Sequence, residues 1–332
     1  MKSRPILLVL MAIVAVSAPL WGELATGKKA STTGPLGIRE ALVFTGHTGV
    51  VRGAVFSPDG KHVASCSWDR TLKVWDAATG TEVLAIQGGE GDEFNRVAFS
   101  PDGKHLASMS TTGAVPKMWD ARSGKLLFSC EPHGGRGGWL SFSPDGKQLA
   151  TKGEDKMVRL WDAAGNKLRA LEHPGDGGDV AFSPDGKRLA AIGGGNTLIV
   201  WDTTTGKQVY SLKVDAGDYL YAVVFRPDSK SLAVGGEDGT VRVREAAMGT
   251  ERLALKGHDR AVLCLAFSPD GKLLASGDMD GVVKLWDVSE GKERASFQAH
   301  TSSWVHSVAF SPDSKRLVSA GSKAARIWKI SE

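Results

Sequence analysis

The chain has 332 residues, of which 42% are hydrophobic and 23% charged, so it can form a large core and is not a disordered chain. Its formal net charge of +4 is too small to indicate nucleic acid as a partner. Its three cysteines, Cys66, Cys130 and Cys264, are too few for a disulfide framework or a four-cysteine zinc site.

Residues 1–25 are typical of an export signal or an N-terminal membrane anchor. Lys2 and Arg4 precede an uncharged apolar run over residues 6–18, which is shorter than the about 20 residues of a membrane-spanning helix. No clear cleavage site follows the run, so a cleaved and an uncleaved leader both stay open. Residues 26–37 have the composition of a flexible linker. We therefore expect a periplasmic or extracellular protein, either released or tethered to a membrane by its leader.

One unit is repeated seven times over residues 38–332. Its first marker is the string Phe-Ser-Pro-Asp-Gly or a close variant, which recurs at intervals of 40 to 43 residues. A second marker, Trp-Asp in five copies, follows 19 or 20 residues after the phenylalanine in most copies. A period of this length indicates a repeat architecture in which each unit buries its apolar faces against its neighbours. The seven motif phenylalanines are Phe56, Phe99, Phe142, Phe182, Phe225, Phe267 and Phe310.

Each unit is predicted to contain four short β-strands. In the first copy, apolar segments over residues 51–56, 62–65, 72–75 and 82–86 are separated by residues that favour turns. No segment shows a sustained helical period, and the 41 glycines are consistent with many tight turns. Small residues precede each motif phenylalanine, so both faces of that strand are apolar, as expected for sheets that are covered on both sides.

The Phe-Ser-Pro-Asp-Gly turns, the Trp-Asp pairs, and the Gly46-His47 and Gly257-His258 pairs resemble the WD-repeat β-propeller family. This resemblance extends over residues 38–332. It implies an all-β protein, a seven-bladed β-propeller of four-stranded antiparallel blades around a central channel.

The two ends of the repeat region predict how the ring closes. Only four residues follow Trp328, too few for a further loop and outer strand. Residues 40–45 have the pattern of the outer strands at 82–87 and 292–298. We therefore predict that the N-terminal strand pairs with the last blade, which removes two open sheet edges.

The resemblance also implies a buried hydrogen-bond relay of His, Ser or Thr, Asp and Trp within a blade. Copies four and seven lack the Asp, and copies two and five lack the His, so we expect blades two and five to be the weakest. Three copies match the pattern fully: His47, Ser65, Asp69 and Trp75; His133, Thr151, Asp155 and Trp161; and His258, Ser276, Asp280 and Trp286.

No catalytic residue, metal ligand or cofactor is predicted. Of eight histidines, five belong to the relay pattern and two follow exposed turns, which leaves His306. Without a recurring carboxylate or nucleophile beside it, we interpret His306 as a surface contact rather than a general base. The acidic loop over residues 89–93 lacks the ligand spacing of a calcium loop and is interpreted as a solvated turn. The lysine after each turn is offset by an Asp two residues earlier, which argues against nucleic acid binding.

Several aromatic residues lie outside the repeat pattern, Trp139 among them. Most occupy repeat positions that in the family surround the channel mouth, on the face opposite the Pro-Asp-Gly turns. Trp, Tyr and Arg are frequent anchors of protein interfaces, although these side chains would also suit mere filling of the mouth. Blades five, six, seven and one should place the predicted partner-binding residues on one arc: Arg52, Trp68, Tyr219, Tyr221, Met279, Trp304 and His306.

Two main functions are consistent with this pattern. The favoured one is a non-enzymatic, monomeric interaction scaffold that presents an aromatic-rich face to a protein or peptide outside the cytoplasm. The alternative is a propeller enzyme or small-molecule binder that uses the central channel. A separated regulatory module, whose catalytic partner is another polypeptide, is a third interpretation. Fold alone does not choose among them.

Overall fold

The computed structural model describes residues 36–331, which form 28 β-strands. Within this range no helix is long and apolar enough to span a membrane. The proposed export signal and most of the linker lie outside the described residues. In chain order the strands are β1 (Gly37–Phe44), β2 (Val51–Phe56), β3 (His62–Ser67), β4 (Thr71–Asp76), β5 (Glu82–Gln87), β6 (Phe94–Phe99), β7 (His105–Ser110), β8 (Pro116–Asp120), β9 (Leu126–Ser129), β10 (Trp139–Phe142), β11 (Gln148–Lys152), β12 (Met157–Asp162), β13 (Lys167–Glu172), β14 (Val180–Phe182), β15 (Arg188–Gly193), β16 (Thr197–Asp202), β17 (Gln208–Lys213), β18 (Leu220–Phe225), β19 (Ser231–Gly236), β20 (Val241–Glu245), β21 (Glu251–Leu255), β22 (Val262–Phe267), β23 (Leu273–Asp278), β24 (Val282–Asp287), β25 (Lys292–Gln298), β26 (Ser307–Phe310), β27 (Arg316–Gly321) and β28 (Ala324–Ser331).

The strands form seven antiparallel sheets of four strands each, which we number as blades one to seven. Blades one to six each use four consecutive strands, beginning with β2, β6, β10, β14, β18 and β22. Blade seven combines β26, β27 and β28 with β1. The predicted all-β, seven-bladed architecture is therefore confirmed.

The first strands of the blades line a central channel. Each first strand contacts the first strands of both neighbouring blades, and β26 contacts both β22 and β2, so the ring is closed. Each of these strands ends at a Pro-Asp-Gly or related turn. Its starting residues therefore lie at the opposite opening, which we call the channel mouth.

The N-terminal strand closes the ring, as predicted. Strand β1 pairs with β28 from Gly37 opposite Ser331 to Phe44 opposite Ala325, with one irregularity between Glu40 and Leu42. Phe44 is buried and its ring stacks on Trp75 of blade one at 5.2 Å between centroids. The closing strand thus adds apolar packing as well as a hydrogen-bonded ladder.

The recurring turn is held by its own side chains. In the first copy, Ser57 Oγ donates to Asp59 Oδ1 at 2.6 Å and accepts the backbone N–H of His62 at 2.9 Å. Gly60 has a φ of +69°, a conformation that glycine adopts without strain. The same position takes a positive φ at Ser229 and Ser314, the two copies in which serine replaces glycine.

The relay of blade one connects four buried or partly buried side chains. Trp75 Nε1 donates to Ser65 Oγ at 2.8 Å, and Ser65 Oγ lies 2.8 Å from His47 Nε2. His47 Nδ1 lies 3.0 Å from Asp69 Oδ2. Because a carboxylate only accepts, Nδ1 carries the proton and donates to Asp69, and the Ser65 hydroxyl donates to Nε2. Each buried polar atom of this chain of bonds is therefore satisfied.

Blade three repeats this arrangement, with Trp161 donating to Thr151 at 2.7 Å and His133 Nδ1 3.0 Å from Asp155. In blade six, the prediction that Asp280 supplies the carboxylate of the relay was wrong. Asp278, not Asp280, lies 2.6 Å from His258 Nδ1. Asp278 is buried at the end of β23, and its other oxygen accepts the backbone N–H groups of residues 280 and 282, both at 2.9 Å. Asp280 points to solvent, 3.7 Å from exposed Arg260.

The remaining blades replace the relay in different ways. In blade seven, Ser319 accepts from Trp328 at 2.9 Å and lies 2.9 Å from His300 Nε2. In blade four, His173 Nδ1 lies 2.9 Å from the carbonyl oxygen and 3.1 Å from the backbone nitrogen of Gly175, and its Nε2 is buried without a partner among the described residues. The relative weakness of blades two and five stays a prediction.

The relay of blade three gives a stability prediction. Thr151 is fully buried and its hydroxyl bonds to both Trp161 and His133. Thr151→Val keeps the shape but leaves two buried groups unpaired, at about 1–3 kcal/mol each, so we expect a loss of about 2–5 kcal/mol. Thr151→Ser, which keeps the hydroxyl, is the matched control and should lose about 1 kcal/mol.

Urea unfolding measures both variants. An equal loss in Thr151→Val and Thr151→Ser would contradict the role of the hydroxyl. Blade five has a valine, Val234, at the repeat position of Thr151, but that blade also lacks the relay His and Trp. A relay that is absent as a whole leaves no partner unpaired.

Candidate protein-binding site

Four of the predicted partner-binding residues form one cluster at the junction of blades seven and one. Arg52 Nη1 lies 2.7 Å from His306 Nδ1, and the Arg52 guanidinium lies over the ring of Trp68 at 5.1 Å. The rings of Trp304 and His306 meet edge to face at 5.8 Å. Trp68 and Trp304 are 41% and 45% exposed, unusually high for tryptophan in a well-packed protein. We call these four residues the tryptophan cluster.

The hydrogen bond between Arg52 and His306 fixes the state of the histidine. A guanidinium only donates, so Nδ1 of His306 accepts and Nε2 carries the proton. Burial and the nearby charges of Arg52 and Arg96 lower the pKa of His306 to about 2. His306 is therefore neutral at physiological pH. It is 8% exposed, so its interpretation as a surface contact was wrong: it lies beneath Trp304 and orients Arg52.

The two tyrosines of blade five form a separate pair. The rings of Tyr219 and Tyr221 stack at 5.1 Å, and the Tyr219 hydroxyl donates to the backbone carbonyl of Asp176 at 2.9 Å. Met279 lies in the loop between β23 and β24, partly buried, with its backbone N–H bonded to Ala261 at 3.2 Å. Its place in the predicted arc stays a prediction.

The contacts that connect these groups continue around the ring through blades two and three. Arg52 Nε donates to Asn95 Oδ1 at 3.1 Å, and Arg96 Nη1 donates to the backbone carbonyl of Asn95 at 2.9 Å. The Arg96 guanidinium lies over Trp139 at 5.5 Å. A Cβ on Gly177 would lie 2.7 Å from the Tyr219 hydroxyl and 3.6 Å from Trp139, so these aromatic side chains flank one glycine.

Asn95, Arg96 and Trp139 were therefore missing from the predicted site. A signal for them existed in the sequence. Asn95 occupies the same repeat position as Arg52, four residues before the motif phenylalanine, and Arg96 and Trp139 share the next position. Any side chain at these positions lies at the start of a first strand and hence at the mouth.

Two further ionisable groups lie near this ring. Asp179, which precedes β14, accepts the backbone N–H groups of Val180 at 2.9 Å and Val223 at 3.2 Å. Burial raises its pKa to about 6. Lys152 is fully buried, donates to the carbonyls of Gly175 and Gly177, and has a pKa lowered by burial to about 8.

The acidic loop of blade two is exposed at residues 89–91 and 93, as expected for a solvated turn, but Asp92 is buried. Asp92 is 4% exposed, accepts the backbone N–H of Gly89 at 2.8 Å and pairs with Lys117. Its carboxylate is thus engaged inside the blade. Across residues 36–331, no group of three or more His, Cys, Asp or Glu residues is arranged to hold a metal ion. The cysteines Cys66, Cys130 and Cys264 are free and buried.

A closed ring of seven four-stranded blades with an aromatic mouth defines the class of this protein as a β-propeller. The family described as WD domain, G-beta repeat, matches residues 39–76, 123–162, 166–202, 206–244, 249–287 and 291–329. Because these six matches cover more than half of the chain, the protein belongs to the WD-repeat family. Residues 77–122 are unmatched but still form the outer strand of blade one, β5, and three strands of blade two, β6 to β8.

Curated relatives are similar over short segments. A segment of 58 residues is 40% identical to DDB1- and CUL4-associated factor 13 of Dictyostelium discoideum, and spans 16% of this chain and 13% of that protein. A segment of 48 residues is 44% identical to the ribosome biogenesis protein BOP1 homolog of Drosophila virilis, spanning 14% and 6%. The matched segments are little longer than one repeat, so they support the repeat family.

Proposed function

We propose that this protein is a non-enzymatic, exported interaction scaffold whose channel mouth binds a protein or peptide partner. The observation that carries this proposal is the pair of exposed tryptophans, Trp68 and Trp304, held by Arg52 and His306. Aromatic and arginine side chains at the centre of a surface are the residues that dominate binding energy in protein interfaces. The rigid blades beneath them fix their positions before binding, which lowers the entropy cost.

The state of His306 favours binding over catalysis. A general base is most efficient when its pKa lies near the working pH. Burial and Arg52 lower the pKa of His306 to about 2, and its Nδ1 already accepts a hydrogen bond from Arg52. His306, the histidine that would be the first candidate for a general base, therefore positions Arg52 instead.

Export remains part of the proposal on the strength of the sequence alone. Lys2, Arg4 and the apolar run over residues 6–18 support it. Intact-mass measurement of the protein recovered from membrane and extracytoplasmic fractions distinguishes a cleaved from a retained leader. Recovery of the full-length chain only from the cytoplasm would contradict export.

The binding proposal predicts a strong effect of three substitutions. Trp68→Ala, Tyr221→Ala and Trp304→Ala together should reduce capture of the native partner by at least about tenfold, because interface tryptophans and tyrosines often contribute 2 kcal/mol or more each. Crosslinked affinity purification with quantitative mass spectrometry measures capture from wild-type and variant protein.

A matched triple variant controls for the loss of exposed apolar surface. Val83, Leu168 and Val209 are 57%, 51% and 42% exposed on outer strands, away from the mouth. Their replacement by alanine should leave capture unchanged. Undiminished capture by the folded mouth variant would refute the proposed site.

A further inference from the structure

The channel mouth contains two guanidinium groups on adjacent blades. Both flank Asn95: Arg52 donates to its side-chain oxygen at 3.1 Å and Arg96 to its backbone carbonyl at 2.9 Å. Arg96 also donates to the backbone carbonyl of Arg52 at 3.4 Å. Two like charges are therefore held close together by neutral groups.

Among residues 36–331, neither arginine forms an ion pair, although the charge of Asp179 interacts with that of Arg96. Among residues 36–331, the ion pairs of the protein engage other arginines, such as Arg159 with Asp155 and Arg242 with Asp238, both at 2.6 Å. Arg52 instead contacts His306, which is neutral, and Asn95. Burial and repulsion from Arg96 lower the pKa of Arg52 to about 9, so it still carries its charge at neutral pH. A partly buried charge such as that of Arg52, without a counter-charge beside it, is costly unless a ligand supplies one.

Both guanidinium groups lie over an aromatic ring and keep N–H groups available for a ligand. The guanidinium carbon of Arg52 lies 5.1 Å from the centre of the Trp68 ring, and that of Arg96 lies 5.5 Å from the centre of the Trp139 ring. A guanidinium is planar, and pairs of its N–H groups in that plane match the two oxygens of a carboxylate. Within the described part of the chain, Nη2 of each arginine has no hydrogen-bond partner.

We infer that Arg52 and Arg96 together bind a carboxylate of the partner, either an acidic side chain or the C-terminus of its chain, while Trp68 and Trp304 contact neighbouring apolar side chains. This inference rests on the proposed function and specifies its ligand. A singly charged carboxylate suits the site better than a phosphate, because Asp179 lies close enough to Arg96 for the two charges to interact and would repel a second negative charge.

Defined peptides test this inference directly. A displayed library of 12-residue peptides is selected on the wild-type protein, and the enriched peptides are synthesised with each Asp or Glu as the acid or the amide and with a free or amidated C-terminus. One carboxylate should account for most of the binding, so that its amide form binds at least about tenfold more weakly. Comparison of the side-chain amides with the amidated C-terminus identifies whether the site binds an acidic side chain or the C-terminal carboxylate.

Protein variants assign the carboxylate to the two arginines. Arg52→Gln and Arg96→Gln should each weaken binding of the acid peptide at least about tenfold and reduce the preference for acid over amide. Arg52→Lys, which keeps the charge but loses the planar pair of donors, should behave similarly. Arg260→Gln is the matched control, an exposed arginine in the loop before β22, and should bind as wild type.

The possible failures are distinguishable. Enriched peptides that depend on Trp68 and Trp304 but bind equally as acid and amide would overturn the carboxylate site and leave the proposed function standing. Tighter binding of a phosphoserine peptide, with competition by inorganic phosphate, would replace the carboxylate with phosphate and also overturn the inference. Failure of the library to enrich any peptide over selection on the folded triple-alanine variant would count against both proposals.

Discussion

Deletion of residues 37–44 should abolish folding of the propeller to a stable monomer. The deletion removes the whole of β1, including the buried side chains of Ile38 and Phe44. Phe44 packs among residues of blades seven and one, and Ile38 among residues of blades six and seven, so one strand seals two blade interfaces. Loss of a buried phenylalanine alone costs about 3–5 kcal/mol, whereas whole domains are stable by about 5–15 kcal/mol.

The deletion also leaves β28 as an open edge. An unpaired edge strand is a template for association with other chains, so we expect oligomers or aggregates in size-exclusion chromatography in addition to a loss of cooperative thermal unfolding. Val43→Ala is the matched control, because Val43 lies in the same strand with 37% of its side chain exposed, and it should change stability by at most about 0.5 kcal/mol. A monomeric deletion variant that unfolds cooperatively near the wild-type midpoint would show that closure through β1 is dispensable.

A fall in pH should lower the free energy of unfolding of this protein more than its net charge of +4 suggests. Burial lowers the pKa of His133 and His173 to about 4, of His300 to about 3 and of His306 to about 2. Their pKa in the unfolded chain is about 6.5. As pH falls below about 6.5 the unfolded chain binds protons that the folded protein does not, so the free energy of unfolding decreases with falling pH.

The size of this effect follows from the number of groups. Each of the four histidines contributes a loss of about 2 to 3 kcal/mol at pH 4.5, or about 10 kcal/mol together. Asp179 acts in the opposite direction, since its pKa is raised to about 6 in the folded protein, and offsets about 2 kcal/mol. The remaining loss of about 8 kcal/mol is comparable with the whole stability of a typical domain.

Urea unfolding at a series of pH values from about 7.5 to 4.5 measures this dependence. Removal of one titrating group in His300→Gln should lower the slope by about 1.4 kcal/mol per pH unit. A parallel series in about 0.5 M NaCl separates the histidine effect from repulsion between surface charges, which salt screens. A free energy of unfolding that stays constant down to pH 4.5 would refute the assignment.

The two classes of prediction rest on different parts of the same ring. Closure and the relays concern contacts that hold the blades together, and their loss should be visible as a loss of stability. The mouth residues Trp68 and Trp304 are largely solvated, so their loss should be visible in binding. Unfolding and capture measured on the same variants therefore separate a structural role from a functional one.

The fold was predictable because its information is periodic. A turn motif repeated every 40 to 43 residues specifies seven equivalent units, and the outer-strand pattern of residues 40–45 identifies the strand that closes the ring. Local chemistry supports each turn, as in the positive φ of Gly60 and the bonds from Ser57 to Asp59. These backbone preferences and hydrogen bonds act between residues that are close in the chain, so they can be recognised from a single sequence.

The sequence by itself determined the number of blades, the closing strand and the repeat positions that reach the mouth. Only the tertiary structure decided which carboxylate joins the relay of blade six, because Asp278 and Asp280 are two residues apart and the path of the backbone after β23 selects between them. It also decided that Arg52 meets His306, and that Arg96 meets Trp139. These partners are at least 43 residues apart in the chain. They meet because closure of the ring brings the starts of the first strands together around one narrow channel.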